Sequence, residues 1–194
     1  MLDERQSEIL GIMFGDGSLS KVGGSIQIAV TGHKVDDKDY LLNHVCPLFA
    51  KELAVNMKIR NRPNEQTMDI YAYSKDVARV LNTWGMPLGV KNAVKLQPVV
   101  PLCENGFLRG LFDTDGSIYR KYGKYRQIQF KSSNKPLMNY TVKALKRMKF
   151  NPTEIVQDET NYKLYLCRQG EVKRFFEEVA PTNQKHQIRF QRIS

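Results

Sequence analysis

The sequence predicts an α+β fold: two pseudo-symmetric αββαββα repeats with antiparallel sheets and two motif helices packed together at the repeat interface. Three observations carry this expectation. An apolar stretch ending in a small residue, an aspartate and a glycine occurs twice, as Ile9-Leu10-Gly11-Ile12-Met13-Phe14-Gly15-Asp16-Gly17 and as Leu108-Arg109-Gly110-Leu111-Phe112-Asp113-Thr114-Asp115-Gly116. The two aspartates lie 99 positions apart in a chain of 194 residues. The order of helical and alternating segments after the first stretch returns after the second.

Each stretch is apolar on nearly every face, which suits a buried helix. Gly11 and Gly15 are four apart, as are Gly110 and Thr114. Small residues at that spacing share one helix face and let a second backbone come close. Gly17 and Gly116 read as left-handed glycines that stop each helix. Asp16 and Asp115 then fall at helix C-termini, the negative end of the macrodipole, at a cost of about 0.3–1 kcal/mol each. Packing the helices together also brings the two carboxylates close, so a cation is expected there. A hard divalent ion such as Mg²⁺ needs only one or two carboxylates.

In chain order, the first helix is expected from Leu2 or Asp3 to Gly15. Ser18–Lys21 and Ser25–Thr31 form a hairpin across Gly23-Gly24. Asp36–Ala54 is an amphipathic helix, capped by Asp36 or Asp37 and kinked or split at Pro47. Val55–Arg62 and Thr67–Tyr73 are strands, with Val55, Met57 and Ile59 on the apolar face, and Lys75–Trp84 is a helix. The stretch Lys91–Glu104, with Pro98 and Pro101, is extended and divides the chain into repeats 1–97 and 98–194. The second repeat follows with Asn105–Thr114 helical, Ser117–Lys121 and Tyr125–Ser132 as a hairpin, and Pro136–Lys149 helical. Thr153–Gln157 and Tyr162–Cys167 form another hairpin, and Glu171–Val179 a last helix. Neither half covers its motif helix alone, so one shared core is expected.

Composition narrows the function classes. No apolar run reaches the roughly 18–20 residues that span a bilayer, and the polar start Met1-Leu2-Asp3-Glu4-Arg5 leads into no signal peptide. Cys46, Cys103 and Cys167 are far apart and odd in number, which fits neither a disulfide framework nor a zinc site. An intracellular, reducing compartment without secretion is expected, whether cytoplasm or organelle. The net charge is +10, with +1 in residues 1–97 and +9 in residues 98–194. That balance suits a polyanion.

The paired stretches resemble the motifs of the LAGLIDADG homing endonucleases in their single-chain, two-repeat form. The resemblance covers nearly the whole chain. One departure is Phe14, where the family name has Asp and the second copy has Asp113; that position is not the family's metal ligand. By resemblance, Asp16 and Asp115 bind the catalytic metals (Mg²⁺, with Mn²⁺ able to substitute), and Gly15 and Thr114 beside them are further metal-site candidates. The family's sheets form saddles along the DNA major groove on either side of the central helices. It cuts across the minor groove and leaves short 3′ overhangs.

On the strands, one face is polar in each half. The first offers Ser25, Gln27, Thr31, Lys58, Arg60 and Arg62; the second offers Tyr125, Gln127, Gln129, Lys131, Lys163 and Tyr165. Gln and Arg read adenine and guanine edges in the major groove, and Lys neutralises phosphate. Any half-solvated sheet has a polar face, so the common parity of the amide and basic residues carries this reading.

Two or three divalent ions held by the two acids would polarise a scissile phosphate and activate water. A basic group is expected near each metal. Lys91-Asn92 and Lys185-His186 follow the last predicted helix of each half, 94 positions apart, and the family often has a lysine there. Lys95 competes with Lys91. The family also places a polar residue on the second strand near each metal, and Thr31 and Ser132 are the nearest matches.

The function expected is therefore site-specific double-strand cleavage of DNA by an intron-encoded, monomeric enzyme acting on a long, partly symmetric site. The alternatives are an intron RNA splicing maturase and a DNA-binding protein that does not cleave. Retention of both aspartates disfavours the pure binder. An intein is disfavoured by Met1 at the start and Arg192-Ile193-Ser194, without His-Asn, at the end.

Overall fold

The structure is a computed structural model that describes residues 1–91 and 95–192. Asn92, Ile193 and Ser194 lie outside the described residues.

The first repeat runs α1 (Glu4–Gly15), β1 (Gly17–Val22), β2 (Ser25–His33), α2 (Lys38–Tyr40), a π-helical turn (Leu41–Val45), α3 (Cys46–Leu53), β3 (Lys58–Asn61), β4 (Thr67–Tyr73) and α4 (Lys75–Trp84). The second runs α5 (Glu104–Asp115), β5 (Gly116–Tyr122), β6 (Tyr125–Ser132), α6 (Lys135–Arg147), β7 (Val156–Asp158), β8 (Asn161–Leu166), α7 (Gln169–Glu178) and α8 (Gln184–Arg192). Each repeat holds a four-stranded antiparallel sheet, in the orders β1-β2-β4-β3 and β5-β6-β8-β7.

The α1 helix starts on a capping box. Asp3 accepts from the Gln6 N–H and the Gln6 side chain accepts from the Asp3 N–H, so two otherwise unpaired donors are satisfied. The helix then buries every residue from Ser7 to Phe14. Its partner is α5, which lies alongside it in parallel. A methyl group on Gly11 would run into the backbone of Phe107 and Leu111, and one on Gly110 into the backbone of Glu8 and Ile12. Gly106 makes the same close approach to Glu4. Leu2 N–H donates to Pro101 O at 2.8 Å, and Cys103 N–H to Ser7 Oγ at 2.9 Å, which ties the two helix starts together. One continuous apolar cluster fills both repeats. It includes Ile9, Met13, Ile28, Val30 and Phe49 from the first and Phe107, Phe112, Phe130 and Phe175 from the second.

Several expectations change. Gly17 and Gly116 are not left-handed. Gly116 is extended at φ −84°, and a side chain on either glycine would strike Met13 or Phe112 one turn back. Their smallness is needed for space, not for torsion. The helix expected over Asp36–Ala54 shortens to Lys38–Leu53 and runs without interruption through one π turn just before Pro47. Pro47 supplies no N–H and crowds the carbonyl four residues earlier, so the chain widens into a π turn before α3. Asp37 occupies the N-cap position of α2 without capping it. The strand expected over Val55–Arg62 shrinks to Lys58–Asn61, an edge strand on which Ile59 is exposed. The strand expected over Thr153–Gln157 shrinks to Val156–Asp158. The sequence reading missed α8; seven of its nine residues are polar or charged, and only His186 and Phe190, four apart, hint at its inward face.

The close approach of the two motif helices generates a stability test. Gly11→Ala is expected to cost about 3 kcal/mol or more, because backbone, not a movable side chain, blocks the new methyl. Gly170→Ala, which meets nothing within 4 Å, is expected to be neutral or slightly stabilising. Urea denaturation of both variants checks the pair, and equal effects would contradict the packing.

Candidate metal and nucleic-acid site

The parallel packing of α1 and α5 brings both helix C-termini to the same end. Asp16 is the C-cap of α1 and Asp115 is the last residue of α5. A methyl group on Gly15 would lie 3.6 Å from the Asp115 carboxyl carbon and would collide with Thr114, so the two chain turns touch here. Neither carboxylate receives a hydrogen bond among the described residues. Burial raises the Asp16 pKa to about 6, with Asp37 adding to the rise and Lys185 and Lys91 opposing it. Burial, then the charge of Asp16, raises Asp115 to about 7 against the same two lysines. Two carboxylates without donors, set at two negative helix ends, are a donor set suited to a hard divalent cation.

Two lysines face this pair from opposite repeats. Lys91, past α4, reaches back to the C-terminal carbonyls of α1. Its ammonium donates to Met13 O at 3.4 Å, to Phe14 O at 3.1 Å and to Gly15 O. Burial lowers its pKa, with Asp115 and then Asp16 opposing. Lys91 also shares a pocket of about 350 Å³ with Asp115, Lys131, Ser132, Ser133 and Asn161. Lys185, in the first turn of α8, instead meets a carboxylate of the first repeat: its ammonium is 2.7 Å from Asp37 Oδ1. Gly15 O is thus occupied by a lysine, and Thr114 Oγ1 donates to Gly110 O and Leu111 O.

The register corrects one strand assignment. Gly17 pairs with Val30 and Gly116 with Phe130, which sets Thr31 beside Asp16 and Lys131, not Ser132, beside Asp115. The Thr31 N–H donates to Asp16 O at 3.1 Å, while its hydroxyl turns away to Asp69 Oδ1 at 2.8 Å. Lys95, the competitor of Lys91, has none of the contacts described above.

The sheets hold the predicted polar residues on one face each, since the cross-strand partners fall on one parity. In the first sheet Gln27 faces Tyr73, Thr31 faces Asp69, and Lys58 and Arg60 face Tyr71 and Asp69. Asp69, unforeseen from the sequence, is fully buried at the centre of this face. Arg60 (2.7 Å), Arg62 (2.9 Å) and Thr31 converge on it. Although burial pushes its carboxyl up, the Arg62, Arg60 and Thr31 bonds outweigh that and hold it below the usual range. These two arginines are therefore oriented by one shared anion. Ser25 pairs with Val22 at the hairpin end.

In the second sheet Gln129 donates to Tyr165 Oη and accepts from Ser117 Oγ, both at 3.2 Å. Gln127 is only 4% exposed, bound by Tyr119 and Cys167. Lys131 and Tyr125 are exposed, and Lys163 pairs with Asp158. Tyr71, Tyr73 and Tyr119 share these faces and were not singled out from the sequence. Alternation along each strand, with Thr67–Tyr73 as the partner of β2, carried that signal.

Residues 103–180 match the family model of the LAGLIDADG-like domain. The match begins at the cap of α5 and ends just past α7, so it spans the second repeat without α8. No curated protein matches the chain. Among solved structures, the mesophilic variants of the homing endonuclease I-DmoI are similar at a TM-score of 0.65 and 18% identity, covering 91% of this chain and 96% of that one. I-DmoI in complex with DNA and Mn gives a TM-score of 0.62 at 18% identity, over 91% and 96% of the two chains. The N-terminal LAGLIDADG domain of DUF199/WhiA gives 0.60 at 21% identity, over 93% and 84%. The chain has the LAGLIDADG fold in its two-repeat form. No described helix is long and apolar enough to cross a membrane.

The raised acids make a pH-dependent prediction. A carboxyl that titrates near 4 when unfolded and near 6 or 7 when folded gives the native state more bound protons in that window, so stability falls as pH rises through it. In the absence of divalent metal, Asp16→Asn and Asp115→Asn are each expected to stabilise the protein at pH 8, on the order of 1–3 kcal/mol, and to do so much less at pH 4. Urea midpoints at the two pH values measure this. Destabilisation by both variants at pH 8 would refute the electrostatic account.

Proposed function

We propose that this protein is a site-specific double-strand DNA endonuclease that hydrolyses phosphodiesters across the minor groove with a divalent metal, Mg²⁺ or Mn²⁺. The single observation that carries the reading is the pair Asp16 and Asp115, donor-poor carboxylates brought together at two helix C-termini between two polar sheet faces. A sequence-reading surface alone has no use for that arrangement. The second repeat, with a net charge of +9, supplies phosphate affinity.

Asp16 and Asp115 are the residues that would hold metal. A bound divalent ion there supplies Lewis acidity at the scissile phosphate and a nucleophilic water near neutral pH. The chain's own groups do the rest. Lys91 and Lys185 put one positive charge on each side of the acids, where anionic charge builds up on phosphorus oxygens. Lys91 belongs with Asp115 and Lys185 with Asp16, so each half-site draws its acid and its lysine from different repeats. Ser25, Gln27, Thr31, Lys58, Arg60 and Arg62 on one sheet, and Tyr125, Gln129, Lys131, Lys163 and Tyr165 on the other, form the DNA face, with Gln127 supporting it from below. Two half-sites in one chain suit a monomer acting on a long, partly symmetric target. Structures similar to this one include a homing endonuclease bound to DNA and Mn.

A randomised duplex library incubated with purified protein tests the reading. Double-strand cuts at one long sequence are expected with Mg²⁺ or Mn²⁺ and none with EDTA. Asp16→Asn or Asp115→Asn is expected to reduce cutting by about 100-fold or more while leaving the protein folded. Selective binding without cuts in any divalent ion would overturn the nuclease and leave a non-cleaving DNA-binding protein. Binding of neither would turn the test to intron RNA.

A further inference from the structure

Each repeat follows its second strand with a helix whose N-cap residue reaches across to the other repeat's lysine segment. In the second repeat this residue is Asn134, the N-cap of α6. Its Nδ2 donates to Lys91 O at 3.4 Å and its Oδ1 accepts from Leu96 N–H at 3.2 Å. In the first repeat it is Asp37, at the N-cap position of α2. It does not cap its own helix. Its Oδ2 accepts from His33 N–H at 2.9 Å, and its Oδ1 accepts from Asn183 Nδ2 at 2.8 Å and from Lys185 Nζ at 2.7 Å. A neutral amide thus holds the main chain of one lysine, and a carboxylate holds the ammonium of the other.

The support for Lys185 continues into the second motif. Asp113, fully buried, accepts from Thr182 N–H, Thr182 Oγ1 and Asn183 N–H at 2.9, 2.6 and 3.1 Å, and Asn183 Nδ2 also donates to Asp113 O at 3.1 Å. Asn183 therefore bridges Asp113 to Asp37, and its own side-chain oxygen accepts from the Lys185 N–H at 3.2 Å. In the first motif the matching position is Phe14, whose side chain offers no acceptor, and Lys91 lies against helix carbonyls, that of Phe14 included. The two lysines are held by different chemistry.

We infer that Asp37 is a positioning residue for Lys185, so that one of the two half-sites depends on the Asp37–Lys185 ion pair across the repeats and the other does not. The inference rests on the nuclease reading for its catalytic consequence. Its structural content, a part-buried ion pair between the repeats, stands apart from that reading. An ammonium free to swing on four methylenes is a poor electrostatic partner, because misplacement by about 1 Å costs on the order of 100-fold.

The test uses the full chain and the target selected from the library, with each strand end-labelled and single-turnover cutting followed in Mg²⁺. Asp37→Asn and Lys185→Met are expected to slow the same strand by about 10- to 100-fold, and Lys91→Met the other strand. The double variant Asp37→Asn/Lys185→Met should be no slower than Lys185→Met alone. Slowing of both strands alike by Asp37→Asn, or of the strand that Lys91→Met slows, would overturn the assignment. A urea-denaturation cycle of the same variants without metal or DNA is the second readout. Non-additive losses support the pair and additive losses overturn it. If wild-type protein cuts neither strand, the nuclease reading fails alone, and the cycle still decides the pairing.

Discussion

The structure depends on how closely α1 and α5 approach. Gly11, Gly106 and Gly110 remove the side chains that would hold the backbones apart, and the helices settle in parallel. A parallel arrangement is electrostatically unfavourable, because like ends of two helix dipoles adjoin. It is stabilised by the apolar surface that the pair buries from both repeats, and at its starting end by charge. There Arg109 binds Glu4 at 2.6 Å and Glu8 at 3.3 Å, and His44 meets the other oxygen of Glu8. At the far end the compensation is partial: Lys91 and Lys185 offset the two carboxylates, but neither acid has a direct ion pair among the described residues. The unfavourable end is the one that carries the acids.

That contrast gives the two ends of one helix pair different roles. The starting end is closed by ion pairs between repeats and by the link from Leu2 to Pro101. The acid end is left with two raised carboxylates and two lysines that offset them in part. The protein stores its electrostatic cost where a cation and a polyanion would relieve it. The flanking sheets follow from the same geometry: β1 and β5 leave the helices directly at Gly17 and Gly116, so the polar faces flank the acids without a long connection.

Pseudo-symmetry holds in the backbone and lapses in the side chains. Thr31 and Lys131 occupy one equivalent place, Phe14 and Asp113 another, and Asp37 and Asn134 serve matching loops with different charge. The first sheet holds its arginines around a buried Asp69, whereas the second carries exposed lysine and tyrosine. A duplicated scaffold has in this way acquired two unlike halves.

The duplication, the two acids, the strands of both hairpins and the α4 helix were legible from residue order, because they rest on local periodicity and on capping residues close in sequence. The Asp16 and Asp115 pairing was legible for a further reason: a repeated motif implies a repeated place. What escaped the sequence is long-range. Asp37 looked like a helix cap and is bound instead to Lys185, 148 positions away. Asp69 looked like one strand residue among many and became the anchor of two arginines. Gly17 and Gly116 looked like torsional glycines and are steric ones. Ser132 looked like the partner of Thr31 until the strand register moved the equivalence to Lys131. In each case the residue's local pattern permits several partners. The choice among them is made only when the two repeats dock and burial makes an unpaired charge or a surplus methyl group costly.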